Sequence, residues 1–164
     1  MKLFIIRHAW AEAPGDPTWP TDAERPLTKK GRDRFARMAA ILVARGMGPQ
    51  IIATSPLVRC VETAEILARA VGQQAQVLVC QDLRPGGDVD GLLRWTDAQR
   101  GQHDQIAWVG HAPDVEHLAA AMIGPGGGQI HFAKGAVAAL EFEDAIRPAA
   151  GELRWLATAK ILAC

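Results

Sequence analysis

Apolar and polar positions along this chain switch repeatedly between two periods. Leu3 to Ile6 form an unbroken apolar run, the mark of a strand buried on both faces, and it ends abruptly on Arg7 and His8. From Thr28 to Arg45 the period becomes helical, with Phe35, Met38, Ala39, Leu42 and Val43 at i, i+3, i+4, i+7 and i+8. Thr28 is the expected N-cap of that helix and Gly46 its C-terminal stop. The segment QIIAT (50–54) predicts a short strand. SPLVRCVETAEILARAVG (55–72) predicts a helix with Ser55 as N-cap and Pro56 at the first helical position. A strand over 76–80, a looser helix within 88–100, a buried strand over 105–110 and a helix from Pro113 to Ile123 follow. The tail predicts two strands, AVAALEF (136–142) and LRWLAT (153–158), joined by a Pro/Gly turn.

Two segments fit neither period. Residues 9–27 hold Pro14, Gly15, Asp16, Pro17, Pro20 and Pro26 and read as one long irregular loop, a kind usually functional or disordered. GPGGG (124–128) matches no phosphate-loop spacing and reads as a plain flexible connector.

Strands alternating with helices predict an α/β fold, a mostly parallel sheet covered on both faces, with antiparallel pairing near the C-terminal edge. At 164 residues the chain is expected to form one domain, residues 1–164. Lys+Arg and Asp+Glu are both 18, so the balance offers no non-specific grip on nucleic acid or an anionic membrane. No apolar stretch approaches a membrane span, and the four-residue run before Arg7 is too short for a signal peptide. Three cysteines without CxxC spacing argue for a reducing compartment, and cytoplasm is the expected location.

Ligands of such sheets bind beyond the carboxyl ends of the strands. The first strand delivers Arg7 and His8 there. The second leads into Ser55 and Pro56, with Arg59 in the following helix, and the strand over 105–110 leads into His111. If these strands are neighbours, two arginines and two histidines meet at one rim, beside helix N-termini that favour anions. A dianion makes that concentration of donors sensible, and phosphate suits the planar fork of arginine. Singly, each residue has an ordinary reading: Arg7 reaching solvent, His8 a structural histidine, Arg59 paired with Glu62, His111 a helix capper. Together those readings require several coincidences.

The segments FIIRHA (4–9), ERPLTKKG (24–31), TSPLVRCVETAE (54–65) and VGHAP (109–113) resemble the histidine phosphatase superfamily, which is phosphoglycerate-mutase-like, and within it the short SixA-type phosphohistidine phosphatases. The resemblance implies a three-layer α/β/α sandwich. It implies His8 as the nucleophile that becomes a transient phosphohistidine, with Arg7, Arg59 and His111 holding the phosphoryl oxygens. The second ring nitrogen of His8 then needs an acceptor, expected to be a main-chain carbonyl. No metal cofactor is implied, because the arginines supply the positive charge. Asp82 falls where larger family members carry the acid that protonates the leaving group, though it reads equally as an ordinary loop aspartate, with Asp88 the fallback. Ala9 stands where the superfamily usually has glycine, so the turn after His8 must tolerate a methyl group.

Other candidates are weaker. Ser55 is either only a cap or also a phosphate contact. Arg25 and Lys134 are loop cations, and His117 with Glu116 has neither HExxH nor HxxEH spacing. His131 has no assignable role, and Trp108 and Trp155 are expected in the core. Cys60 has Ile66 where a cysteine phosphatase C-x5-R loop would carry arginine. The expected partner is a phosphorylated protein, for instance a histidine-containing phosphotransfer domain. The alternatives are a phosphomonoesterase for a small phosphorylated metabolite or another phosphoprotein, and a catalytically silent phosphoprotein-binding module. Loop 9–27 carries four carboxylates (Glu12, Asp16, Asp22, Glu24) against one cation, Arg25, which disfavours highly phosphorylated metabolites.

Overall fold

The computed structural model describes residues 1–73, 75–124 and 128–164, so most of the connector expected at 124–128 lies outside the described residues. Six strands form one sheet in the order β3-β2-β4-β1-β5-β6. They are β1 (Lys2–Arg7), β2 (Ile51–Thr54), β3 (Gln76–Val79), β4 (Gln105–Gly110), β5 (Val137–Glu141) and β6 (Glu152–Ala157). The first four strands of that order run parallel, and β5 and β6 add antiparallel pairs beside β1. The mostly parallel α/β sheet with antiparallel pairing near its C-terminal edge, expected from the chain, is therefore present.

Helices α1 (Lys29–Val43), α2 (Val58–Val71), α3 (Val89–Ala98) and α4 (Asp114–Ile123) cover the sheet. Side chains of successive strand residues point to opposite faces, which divides the core in two. Phe4, Ile6, Ile52, Ala107 and Val109 pack with Phe35, Met38 and Leu42 of α1 and Ala64 and Leu67 of α2. Leu3, Ile5, Ala53, Ile106 and Trp108 pack with Leu92 of α3 and Leu118 and Met122 of α4. This two-sided burial is why β1 and β4 read as continuous apolar runs.

Caps and turns follow the pattern at α1 but not at α2. Thr28 Oγ1 accepts from Gly31 N at 2.8 Å, and Gly46 ends the following turn at φ +94°. Gly31 is required by proximity, since a Cβ there would collide with the Trp10 carbonyl oxygen. Helix α2, by contrast, starts at Val58 after Leu57, with no side-chain cap. Ser55 is not its N-cap, nor is Pro56 its first residue: Ser55 N extends the sheet ladder to Val109 O at 3.0 Å, and its hydroxyl is engaged elsewhere. Trp108 is fully buried and donates through Nε1 to Thr96 Oγ1 at 3.0 Å. Trp155 departs from expectation: it is 37% exposed, because β6 is an edge strand, and its ring lies 5.9 Å from that of Phe4 between centroids.

Candidate active site

The parallel register places three strand ends side by side. Arg7 lies opposite Gly110, and Thr54 lies opposite Val109. His8 N extends the ladder by donating to Gly110 O at 3.0 Å, just as Ser55 N donates to Val109 O. His8, Ser55 and His111 thus leave the sheet at one level. The rings of His8 and His111 lie 5.3 Å apart between centroids, inclined by 58°.

His8 Nδ1 donates to its neighbour's carbonyl, Ala9 O, at 2.7 Å, the main-chain acceptor the sequence called for. The lone pair is thereby left on Nε2. Burial drives the His8 pKa down to about 3, with Arg59, His111 and Arg7 adding to the fall against the opposing Ala9 bond. His111 is lowered to about 4, again by burial first and then by Arg59. Both imidazoles are neutral at pH 7, as a nitrogen nucleophile requires.

Each arginine is gripped at its tip. Arg7 Nη1 donates to Phe132 O at 2.6 Å. Arg59 is 5% exposed and donates from Nη1 to Asp22 O (2.7 Å) and from Nη2 to Asp22 Oδ2 (2.9 Å). The Nε–H groups of Arg7 and Arg59 are both buried without a partner. Orphaned buried donors carry a free-energy cost that an anion would remove. Asp22 also meets Arg25 at 2.8 Å. Burial opposes its ionisation, but the hydrogen bond from Arg25 and the charge of Arg59 outweigh that and hold its carboxyl below the usual range.

The pairing of Arg59 with Glu62 does not occur. Glu62 instead accepts from Leu27 N and from Arg32 Nη2, each at 2.6 Å, and pins the end of the 9–27 loop. Arg25 Nη1 holds the other side of that loop through Glu12 O at 2.9 Å. Asp22 and Thr63 were invisible as site residues in the sequence. Thr63 Oγ1 accepts from Ala9 N at 3.1 Å and donates to Arg59 O at 2.6 Å, joining the turn after His8 to α2. Ala9 is fully buried and has no positive φ, so this turn does not require glycine.

Ser55 is fully buried, and its hydroxyl shares a 2.9 Å hydrogen bond with His111 Nε2. It therefore touches the second histidine directly. Cys60 Sγ lies 3.4 Å from the same nitrogen, and burial pushes its thiol up to about 12, which leaves it inert as a nucleophile. Asp82 sits in the short turn after β3 (Gln81–Leu83), with its carboxylate against Gly91 in the first turn of α3. It shares a cavity wall with His111. Asp88 immediately precedes α3 and meets Arg94 at 3.7 Å. His117 and Lys134 are exposed, and exposed His131 meets Glu116 at 3.2 Å. Among the described residues no three His, Cys, Asp or Glu side chains group as metal ligands, and no helix is long and apolar enough to cross a membrane.

Comparison with known proteins shows the family to which the chain belongs. The model of the histidine phosphatase superfamily (branch 1) matches residues 3–124, which include Arg7, His8, Arg59 and His111. The chain belongs to the histidine phosphatase superfamily. An uncharacterized protein of Picosynechococcus sp. is 38% identical over 124 residues, covering 74% of this chain and 73% of that one. The phosphohistidine phosphatase SixA of Escherichia coli is 26% identical over 145 residues, covering 88% and 87%. A SixA structure complexed with tungstate superposes with a TM-score of 0.85 at 25% identity, over 99% of both chains. A mycobacterial glucosyl-3-phosphoglycerate phosphatase shares the fold, with a TM-score of 0.71 at 18% identity over 96% and 99%. This superfamily chain is SixA-like in sequence and structure, and its family chemistry is that of a phosphatase.

Two buried neutral histidines make stability depend on pH. In the unfolded chain each titrates near 6.5, and in the folded chain near 3 to 4. Between those values the unfolded state binds more protons, so stability is full above about pH 6.5 and falls as pH drops toward 4. His8 alone is expected to lose about 2 kcal/mol by pH 5. The Tm of the wild type should therefore fall more steeply from pH 7 to 5 than that of His8→Asn, whose amide can still donate to Ala9 O. Equal falls would contradict the neutral imidazole.

Proposed function

We propose that this chain is a metal-independent phosphohistidine phosphatase acting on a signalling protein, through a phosphohistidine intermediate on His8. The observation that carries the reading is the orientation of His8: Nδ1 donates to Ala9 O, Nε2 keeps its lone pair, and buried guanidinium groups surround it. The likeness to SixA supports the substrate class.

In the first step the His8 Nε2 pair bonds to phosphorus as the substrate's P–N bond breaks. When the far nitrogen of the substrate ring is already protonated, the ring departs as neutral imidazole and no further proton is needed. The phosphoryl group exchanges one imidazole for another, and the guanidinium groups of Arg7 and Arg59 with His111 stabilise the charge on its oxygens. Ser55 acts on His111 as a positioning residue. In the second step water attacks phosphorus, the N–P bonding pair returns to Nε2, and dihydrogen phosphate leaves with both water protons. A phosphate ester differs, because its departing alkoxide needs a proton, and Asp82 is the candidate donor.

Loop 9–27 favours this substrate over polyanions. Its Asp22 already occupies the tip of Arg59, and Arg25 is tied to Asp22 and Glu12, so no loop cation is left over for a second phosphate. The test compares a phosphohistidine-bearing phosphotransfer domain with phosphoserine and glycerol phosphate, in EDTA. Turnover that survives EDTA, with kcat/KM at least about tenfold higher on phosphohistidine, is expected. A preference for the small esters would reject the substrate, and activity that needs metal would reject the mechanism.

A further inference from the structure

Arg7 takes its support from a segment outside the regular elements. Its Nη1 donates to Phe132 O at 2.6 Å, while its buried Nε–H has no partner. Pinning one arm of a planar guanidinium fixes the plane in which its remaining donors lie. The placement of the Phe132 carbonyl therefore sets the placement of the fork. Residues 131–133 belong to no helix or strand, so no ladder of backbone bonds holds that carbonyl. The ring of Phe132 is fully buried, which fixes where the residue sits but not how the peptides on either side are rotated.

A carboxylate restricts that rotation. Glu116, in the first turn of α4, accepts through Oε1 from Phe132 N at 2.9 Å. The same oxygen meets His131 Nδ1 at 3.2 Å. A few residues on, the segment is fastened to the main chain of the site itself. Gly135 N donates to His8 O at 3.0 Å, and Ala136 O accepts from Arg7 N at 3.1 Å. Glu116 supplies the hold at the other end, where the Arg7 side chain is gripped. We infer that Glu116 is a positioning residue: by holding the main chain at Phe132, it sets the Arg7 fork to receive a tetrahedral oxyanion. The inference rests on the proposed role of Arg7 in binding the phosphoryl group, and is independent of which phosphorylated substrate is used. An ionised acceptor suits the task, because its hydrogen bonds are stronger and shorter than those of a neutral one. Glu116 also stands where a negative charge favours the start of a helix, so the test must separate positioning from support of α4.

Inorganic phosphate, titrated calorimetrically, reads the fork without turnover. Glu116→Ala should bind it about fivefold more weakly than the wild type. The side chain of Glu116 is partly exposed and alanine suits a helix, so the variant is compatible with folding. Glu116→Gln keeps an acceptor oxygen for Phe132 N and should restore affinity to within about twofold of wild type. In an Arg7→Ala background, Glu116→Ala should cost less than about twofold, because the group it acts through is gone. Support of α4 alone would instead lower the Tm of Glu116→Ala and leave phosphate affinity where it was. Unchanged affinity in Glu116→Ala, no rescue by glutamine, or an equal loss with and without Arg7 would each overturn the inference. A wild type that fails to bind phosphate would remove the phosphoryl site itself, and the inference with it. Loss of the phosphohistidine reading would appear separately, in the turnover comparison above.

Discussion

Arg59→Lys is expected to lower kcat/KM by about 100-fold on every phosphorylated substrate, with the fold retained. The guanidinium reaches three places at once. Nη1 and Nη2 hold the Asp22 carbonyl and carboxylate, and Nε–H faces the interior unpartnered. An ammonium group has one nitrogen at the end of its stem. It can satisfy Asp22 or approach the phosphoryl oxygens, and in neither case does it recreate a fork of fixed geometry. Steady-state kinetics with a parallel melting curve makes the measurement. Activity within about threefold of wild type, in a protein that melts normally, would mean that Arg59 serves the loop and not the substrate.

His8→Ala carries the other large effect. Its turnover should fall by about 10⁴-fold or more, because on the proposed mechanism the variant removes the atom that accepts the phosphoryl group. Binding should survive, since Arg7, Arg59 and His111 keep their own supports at Phe132, Asp22 and Ser55. Rapid quenching should trap a phosphorylated wild-type enzyme whose label is stable in base and lost in acid, as expected of a phosphoimidazole, and no label on the variant. Residual turnover at wild-type levels would require direct attack by water. A label that persisted on the variant would place the nucleophile elsewhere.

The frame of this site was legible because it is written in strand ends. The apolar runs at Leu3–Ile6 and 105–110 read as buried strands, and the residue that follows such a run emerges at the sheet rim. That logic located Arg7, His8 and His111 without any knowledge of side-chain contacts. It could not locate Asp22, which reaches Arg59 from a loop without hydrophobic period, and whose pairing is decided by where the loop folds back. Glu62 illustrates the same limit: helical spacing offered it Arg59, but the structure gives it Arg32 and Leu27 N. Ser55 was misread at α2 because a serine before proline suits a cap on local grounds, whereas a longer-range bond to His111 claims its hydroxyl. Trp155 was misread because hydrophobicity alone does not distinguish an edge strand from a central one.

Thr63 has a consequence of its own. One oxygen, lone pairs toward Ala9 and proton toward Arg59, fastens the turn after His8 to the helix that carries Arg59. Drift of either element strains the same pair of hydrogen bonds, so the main chain beside His8 and the main chain at Arg59 are tied through a single hydroxyl. The tip of the Arg59 guanidinium is held by the loop as well, through Asp22, so loop, helix and turn form one connected unit.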